Sequence, residues 1–350
     1  MNYDTKLEAI LKASFHLQAQ RITAIRMFTK AAIQTRSVDS TQLSLAMNAD
    51  VAVASNAKRI HRLLEEVTLS AADKQHFVVG SRATVRVSFD RTEWDFGSVT
   101  NNLLTAAVET NGLAVPVHTK DLGGCGSSSD ESRIQAVDDT LNVVPADRIE
   151  VFTADREFAS TRFIAHLLEK RIRFAIRLKC DAMIEHNGIR LCGSTWFTAY
   201  QRKSLRNATV YGANVNVCGR RMKVRAGEDT EYLIVVTNLE PLEGMRLYKT
   251  RWKIETLFGA LKSRGFNLEL TRVTQSKRLE NLVLLLGVAV LWALRVGLWV
   301  SMRVKVRVRR DGTPFYSLFR VGLDFLRRLL LNPNPDLRVW DDVINVLSST

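Results

Sequence analysis

The chain has 350 residues, 46% hydrophobic and 25% charged, which are the proportions of a globular protein with one large core and one or two smaller modules, and which exclude a low-complexity chain. Lys and Arg outnumber Asp and Glu by 50 to 36, a formal net charge of +14. The excess is concentrated: residues 246–310 carry 15 basic side chains and three acidic ones (Glu255, Glu269 and Glu280), the footprint of a phosphate-backbone partner rather than of general solubility.

The first residues, MNYDTKLEAILKASF, contain acids and no apolar h-region, so they do not read as a signal peptide. Residues 1–78 read as helical, with apolar residues at helical spacing in LEAILKASF and KRIHRLLEEV. Between them, STQLSLAMNADVAVASNAKRIHRLL fits a short helix, a turn and a second, basic helix, and fits a plain helical bundle equally well. At residue 82 the period changes from helical to alternating. ATVRVSFD puts Val85, Val87 and Phe89 on one face and Arg86, Ser88 and Asp90 on the other. Two further strands are expected at 102–110 and 113–119, turned by Asn111-Gly112. GGCGSSSDES is a loop, SRIQAVDDTLNVV a helix, IEVFTAD a strand, REFASTRFIAHLLEKR a helix and RFAIRLK a strand. This succession predicts a mixed α/β sheet.

Residues 183–237 read as short strand-like runs broken by Gly, Asn and Asp, a β-rich insertion. LVLLLGVAVLWAL, 282–294, is too short for a bilayer before Arg295 stops it, and suits a buried core helix. The basic stretch RVKVRVRRDG and an amphipathic helix, SLFRVGLDFLRRLLL, follow. The four cysteines (Cys125, Cys180, Cys192 and Cys218) form no C-x-x-C pair and have no His at zinc spacing, as in reduced thiols of a cytosolic protein.

The stretch YKTRWKIETLFGALK, 248–262, reads as one helix. At about 100° per residue, Tyr248, Arg251, Glu255 and Lys262 fall within roughly 60° of one another, beside an apolar face of Ile254, Leu257, Phe258 and Leu261. Alone, that row is better explained by an Arg251–Glu255 pair at i, i+4 on a solvated surface. Asp90 closes a strand in FDRTEWDFG, and Asp155 ends one in TADREF. Each has a plain alternative, a turn residue for Asp90 and a helix N-cap for Asp155. Together, three carboxylates from two strands and a helix can meet at one sheet edge and offer hard oxygen ligands to a pair of Mg²⁺ ions.

These segments resemble the insertion-sequence-four type of DDE transposases. Tyr248, Arg251, Glu255 and Lys262 match the family's Y-(2)-R-(3)-E-(6)-K signature; FDRTEWDFG and TADREF resemble its two aspartate motifs. The likeness spans about residues 80–330. It implies an RNase H-like catalytic core over 79–182 and 238–335, interrupted by the β-rich insertion at 183–237, after an N-terminal helical DNA-binding region at 1–78 and before a tail at 336–350. It implies a catalytic and metal-binding triad of Asp90, Asp155 and Glu255, holding two Mg²⁺ ions with Mn²⁺ as substitute. Tyr248, Arg251 and Lys262 would hold phosphates of the DNA end, and Trp196 a flipped base, packing being the plain alternative for Trp196. The implied activity is cut-and-paste transposition: cutting double-stranded DNA at terminal inverted repeats and joining the 3′-OH ends to target DNA, as a dimer on DNA in the bacterial cytoplasm, away from membranes. Two alternatives keep the fold: a nuclease without strand transfer, and a catalytically silent DNA-binding descendant. A recombinase with Tyr248 as nucleophile lacks its H-x-x-R partner, since none of the six histidines has Arg three residues on.

Overall fold

The structure, a computed structural model, describes residues 3–348 apart from 111, 199–201, 223–230, 306 and 335. The expected Asn111 turn position therefore lies outside the described residues. The apolar spacing of the N-terminal segment forms α1 (Tyr3–Ser14), α2 (Ala19–Thr35), α3 (Ser40–Ala46), α4 (Val53–Glu66) and a single turn, α5 (Ala71–Lys74). The Asp39 carboxylate accepts the Thr41 and Gln42 N–H groups and so starts α3. On α4, the buried Asn56 amide donates to the Ser44 and Asn48 carbonyls, 3.1 and 2.9 Å. That one side chain fastens helix, turn and helix together.

The strands that follow are β1 (Val85–Phe96), β2 (Val99–Glu109), β3 (Ala114–Asp121), β4 (Ile149–Ala154) and β5 (Phe174–Arg177), with α6 (Asp130–Leu141) and α7 (Thr161–Glu169) between the last three. Residues 183–237 hold β6 (Met183–His186), β7 (Ile189–Cys192), α8 (Gly193–Phe197), β8 (Arg202–Val210), β9 (Ala213–Arg221) and β10 (Tyr232–Thr237). All ten strands join one mixed sheet in the order β3-β2-β1-β4-β5-β10-β9-β8-β6-β7. β1, β4 and β5 are parallel, and β10 runs antiparallel on β5 with Val235 opposite Arg177. Thus the expected insertion is β-rich, and it continues the central sheet: β10 takes up the edge hydrogen bonds that β5 would otherwise leave open. The mixed α/β sheet and the helical N-terminal region are those expected of an RNase H-like core.

The C-terminal part holds α9 (Pro241–Tyr248), a 3₁₀ turn (Lys249–Arg251), α10 (Trp252–Leu261), α11 (Ser276–Ser301), α12 (Leu318–Leu331) and α13 (Leu337–Ser348). Two compact units divide the chain, one of residues 1–82, 91–125 and 254–350, the other of 83–90 and 126–253. The expected tail at 336–350 is mostly helix. Its apolar residues recur at helical spacing, so α13 buries Trp340, Val343, Ile344 and Leu347, and Tyr3 stacks on Trp340 at 4.9 Å. The apolar run at 282–294 is the middle of a 26-residue helix, long and apolar enough to cross a membrane, yet 72% of its most apolar window is buried inside the protein. Arg295 does not stop it: the guanidinium donates to the Leu347 carbonyl, and burial lowers its pKa to about 10.

Both α11 and α12 carry Arg-Val-Gly-Leu, and their glycines, Gly297 and Gly322, mark a close crossing. A Cβ at Gly322 would overlap the Ala293 carbonyl oxygen, and one at Gly297 that of Leu318. Gly322→Ala should therefore destabilise the protein by about 1–3 kcal/mol through overpacking. A urea unfolding midpoint equal to wild type would contradict the close approach.

Candidate active site

The site begins with strand register. Val87 pairs with Phe152, Ser88 with Thr153 and Phe89 with Ala154 on the parallel strands β1 and β4. Asp90 and Asp155 are the next residues on each strand. Neighbouring strands lie about 4.8 Å apart and side chains alternate in direction, so both carboxylates leave the same face at the same level. On the opposite face, Phe89 packs against Phe152, Phe158 and Phe163 with ring centroids 5.0–6.1 Å away. On the carboxylate face, the Thr153 hydroxyl lies 3.1 Å from that of Ser88.

The structure corrects one detail and removes both plain alternatives. Asp90 does not close its strand, because β1 continues to Phe96; what ends there is its pairing with β4. It is therefore not a turn residue. Asp155 stands before a 3₁₀ turn but makes no side-chain cap, and Ser160 caps α7.

α9 covers this face. Met245, Leu247 and Tyr248 pack with Val151, Ala175 and Val235. Tyr248, 6% exposed, donates from Oη to Asp155 Oδ1 at 3.3 Å. The 3₁₀ turn then carries Arg251 inward, where Nη1 donates to Asp90 Oδ2 at 2.8 Å. The guanidinium carbon also lies 5.8 Å from the Tyr248 ring centre. Burial pushes the Tyr248 phenol well above its ordinary pKa, and the Asp155 carboxylate adds to this against the opposing charges of Arg251 and Arg177. Tyr248 is thus a neutral donor at physiological pH.

The expected single helix over 248–262 is three pieces: the end of α9, the 3₁₀ turn and α10. Four of the seven sequence-derived site residues, Asp90, Asp155, Tyr248 and Arg251, form the group just described. Glu255 lies on α10, half-buried, in the segment where the other unit resumes. Lys262 has partners that the motif does not name. Its Nζ donates to the Glu93 carbonyl at 3.1 Å, pairs with Glu269 at 2.9 Å and stands 5.5 Å from the Trp94 ring centre. Trp94 was legible in principle, because it alternates onto the Asp90 side of β1. Trp196 is on α8 rather than a strand; its indole N–H donates to the Ile184 carbonyl at 2.9 Å, and Lys203 Nζ lies 4.8 Å from its ring centre.

Carboxylate oxygens are the donors that Mg²⁺ and Mn²⁺ favour, and Asp90 and Asp155 supply them from adjacent strands. Among the described residues, no group of three or more His, Cys, Asp or Glu stands close enough together to hold a metal ion. Arg251 and Tyr248 serve as hydrogen-bond donors to the two aspartates.

A family model described as a transposase DDE domain matches residues 71–292, more than half of the chain. No curated protein matches the chain significantly.

The Tyr248 environment gives a pH prediction. Above about pH 10 the unfolded chain releases the phenolic proton while the fold retains it, so wild-type stability falls as pH rises. Tyr248→Phe lacks that proton. Below pH 10 it should lose only the hydrogen bond to Asp155, about 1 kcal/mol, and above it the deficit should shrink. Urea unfolding of both proteins across this range checks the crossover; parallel curves would contradict it.

Proposed function

The chain belongs to the family of transposases with a DDE domain, and from that premise we propose that it is an insertion-sequence-four type enzyme working by cut and paste. It would cut double-stranded DNA at the terminal inverted repeats of its own element and join the freed 3′-OH ends to target DNA. The observation that carries this reading is the matched register that sets Asp90 beside Asp155, with Tyr248 and Arg251 of the Y-R-E-K stretch bonded to them.

Asp90, Asp155 and Glu255 would hold two Mg²⁺ ions, or Mn²⁺, which when bound activate the attacking oxygen and stabilise the leaving one. Arg251 is suited to fork onto a phosphate of the DNA end, exchanging the Asp90 carboxylate for phosphate oxygens. Tyr248, kept neutral, can donate to a phosphate oxygen while excluding water beneath Asp155. Lys262, steered by Trp94 and Glu269, supplies a point charge to the same strand. Trp196 has its N–H fixed and its ring flanked by Lys203, a ring that a flipped base could take from the lysine. The N-terminal helices and the basic C-terminal part would bind the ends. Joining two ends calls for a dimer on DNA, acting in the bacterial cytoplasm at the nucleoid.

The test is nicking and joining of plasmid DNA that carries the sequences flanking the gene, with and without Mg²⁺ or Mn²⁺. Asp90→Ala, Asp155→Ala and Glu255→Ala should each reduce cleavage by more than about 100-fold, beyond the effect of outer partners of a ligand, while retaining DNA binding. Full cleavage in any of the three would refute the triad. Equal cleavage of DNA without those flanks would favour a nuclease, and no metal-dependent nicking in wild type would favour a silent DNA-binding protein. Arg251→Ala should shift products from joined to merely nicked DNA; an unchanged product ratio would remove its phosphate role.

A further inference from the structure

The connection between α11 and α12 is a basic ribbon, RVKVRVRRDGTPFY, residues 303–316. Val308 bridges Pro314 in antiparallel pairing, Arg309 N–H donates to the Thr313 carbonyl at 2.8 Å, and Phe315 N–H to that of Arg307 at 2.8 Å. The turn is tight: Gly312 has φ +79°, and the Asp311 carboxylate accepts the Thr313 N–H and hydroxyl at 2.9 and 2.6 Å. Asp311 is the ribbon's only acid, and those bonds engage it in the turn. Every described residue of the ribbon is exposed.

Three features distinguish it from an ordinary solvated loop. Arg307 and Arg309 flank the bridged Val308, and in extended backbone residues two apart stand about 6.6 Å from each other on one side. None of Lys305, Arg307, Arg309 and Arg310 forms an ion pair with another described residue. And the Arg307 and Arg309 guanidinium carbons lie 4.6 and 5.8 Å from the Phe315 ring centre. An exposed aromatic beneath two guanidinium groups holds them extended, which lowers the entropy lost when they engage an anion.

We propose that residues 303–316 are a phosphate-gripping arm for double-stranded DNA, in which Phe315 preorganises Arg307 and Arg309 and the contact is to the backbone rather than to base edges. This rests on the reading that the protein acts on DNA, and it assigns that partner to a specific ribbon. The charge complements a polyanion, and the shape, a narrow two-stranded ribbon with a basic edge, suits a groove wall lined by phosphates.

The full-length chain would be titrated against a mixed-sequence duplex without gene-flanking sequence, at several salt concentrations. The variant K305Q/R307Q/R309Q/R310Q should bind more weakly, and its slope of log affinity against log salt should fall by about 3–4, since each phosphate contact contributes about 0.9. Phe315→Ala keeps the charges; it should leave the slope unchanged and lower affinity about 2–5-fold per released guanidinium. R307K/R309K, with charge but no planar group to stack, should resemble it. All variants should retain the wild-type circular dichroism and urea midpoint, the ribbon being exposed. An unchanged slope in the fourfold variant, or a wild type that does not bind the duplex, overturns the arm; wild-type affinity in Phe315→Ala overturns the preorganisation. Vesicles of phosphatidylglycerol and phosphatidylcholine form the second arm of the experiment. Vesicle binding lost in the fourfold variant while its duplex slope stays unchanged assigns the ribbon to lipid and overturns the proposal. Failure of metal-dependent nicking together with a reduced slope would sink the transposase chemistry and leave the arm standing.

Discussion

The phase of two parallel strands governs the site. A strand shifted by one residue turns each side chain to the other face of the sheet. Here such a slip between β1 and β4 would drive one aspartate into the aromatic cluster and turn a phenylalanine out of it. The packing of Phe89 on Phe152, Phe158 and Phe163 therefore sets where the carboxylates point, from the far side of the sheet. The buried Ser88–Thr153 contact fixes the same phase from the near side. The placement of Asp90 beside Asp155 follows from both sets of contacts.

A second constraint brings the basic and phenolic groups to those acids. α9 is anchored by Met245 and Leu247, and the chain then tightens into a 3₁₀ turn. Residues i and i+3 eclipse in that geometry, so Arg251 comes to lie along Tyr248, each against a different aspartate. An uninterrupted α-helix would rotate Arg251 away by about 60° relative to that alignment. Of the four residues on the helical wheel drawn from sequence, Tyr248 and Arg251 reach the two aspartates, and they do so through the 3₁₀ turn rather than along one α-helix. The Y-R spacing works because the helix is broken there.

What was legible in the sequence follows the reach of each signal. Period-two alternation marked β1, short apolar runs marked β4 and β5, and helical spacing of apolar residues marked α1, α4 and α12, because those patterns are local. The pairing of β10 with β5 was not legible: residues 183–237 look like a module in sequence, and only long-range hydrogen bonding shows that their strands extend the central sheet. Trp196 was read into a strand because short apolar runs do not separate helix from strand. α13 was read as a tail, although its Trp340, Val343, Ile344 and Leu347 have helical spacing. The partners of Lys262 were hidden for another reason. Glu93 contributes a main-chain carbonyl, which any residue has, and Glu269 is a common acid in a loop.

Charge shows the same limit. The count over 246–310 treats its 15 basic residues alike, but the fold sorts them. Arg251 is paired with Asp90, Lys262 with Glu269 and Arg278 with Glu65, while Arg295 is buried on a main-chain carbonyl. These cations hold the protein together or poise the acids, and a phosphate reaching Arg251 or Lys262 has to displace a carboxylate. Those of the ribbon compete with no such partner among the described residues. An approaching polyanion would therefore meet the ribbon at low cost and the inner arginine at high cost. The same count of basic residues therefore covers two kinds of cation, those already paired within the fold and those of the ribbon, and charge summed along the sequence does not separate them.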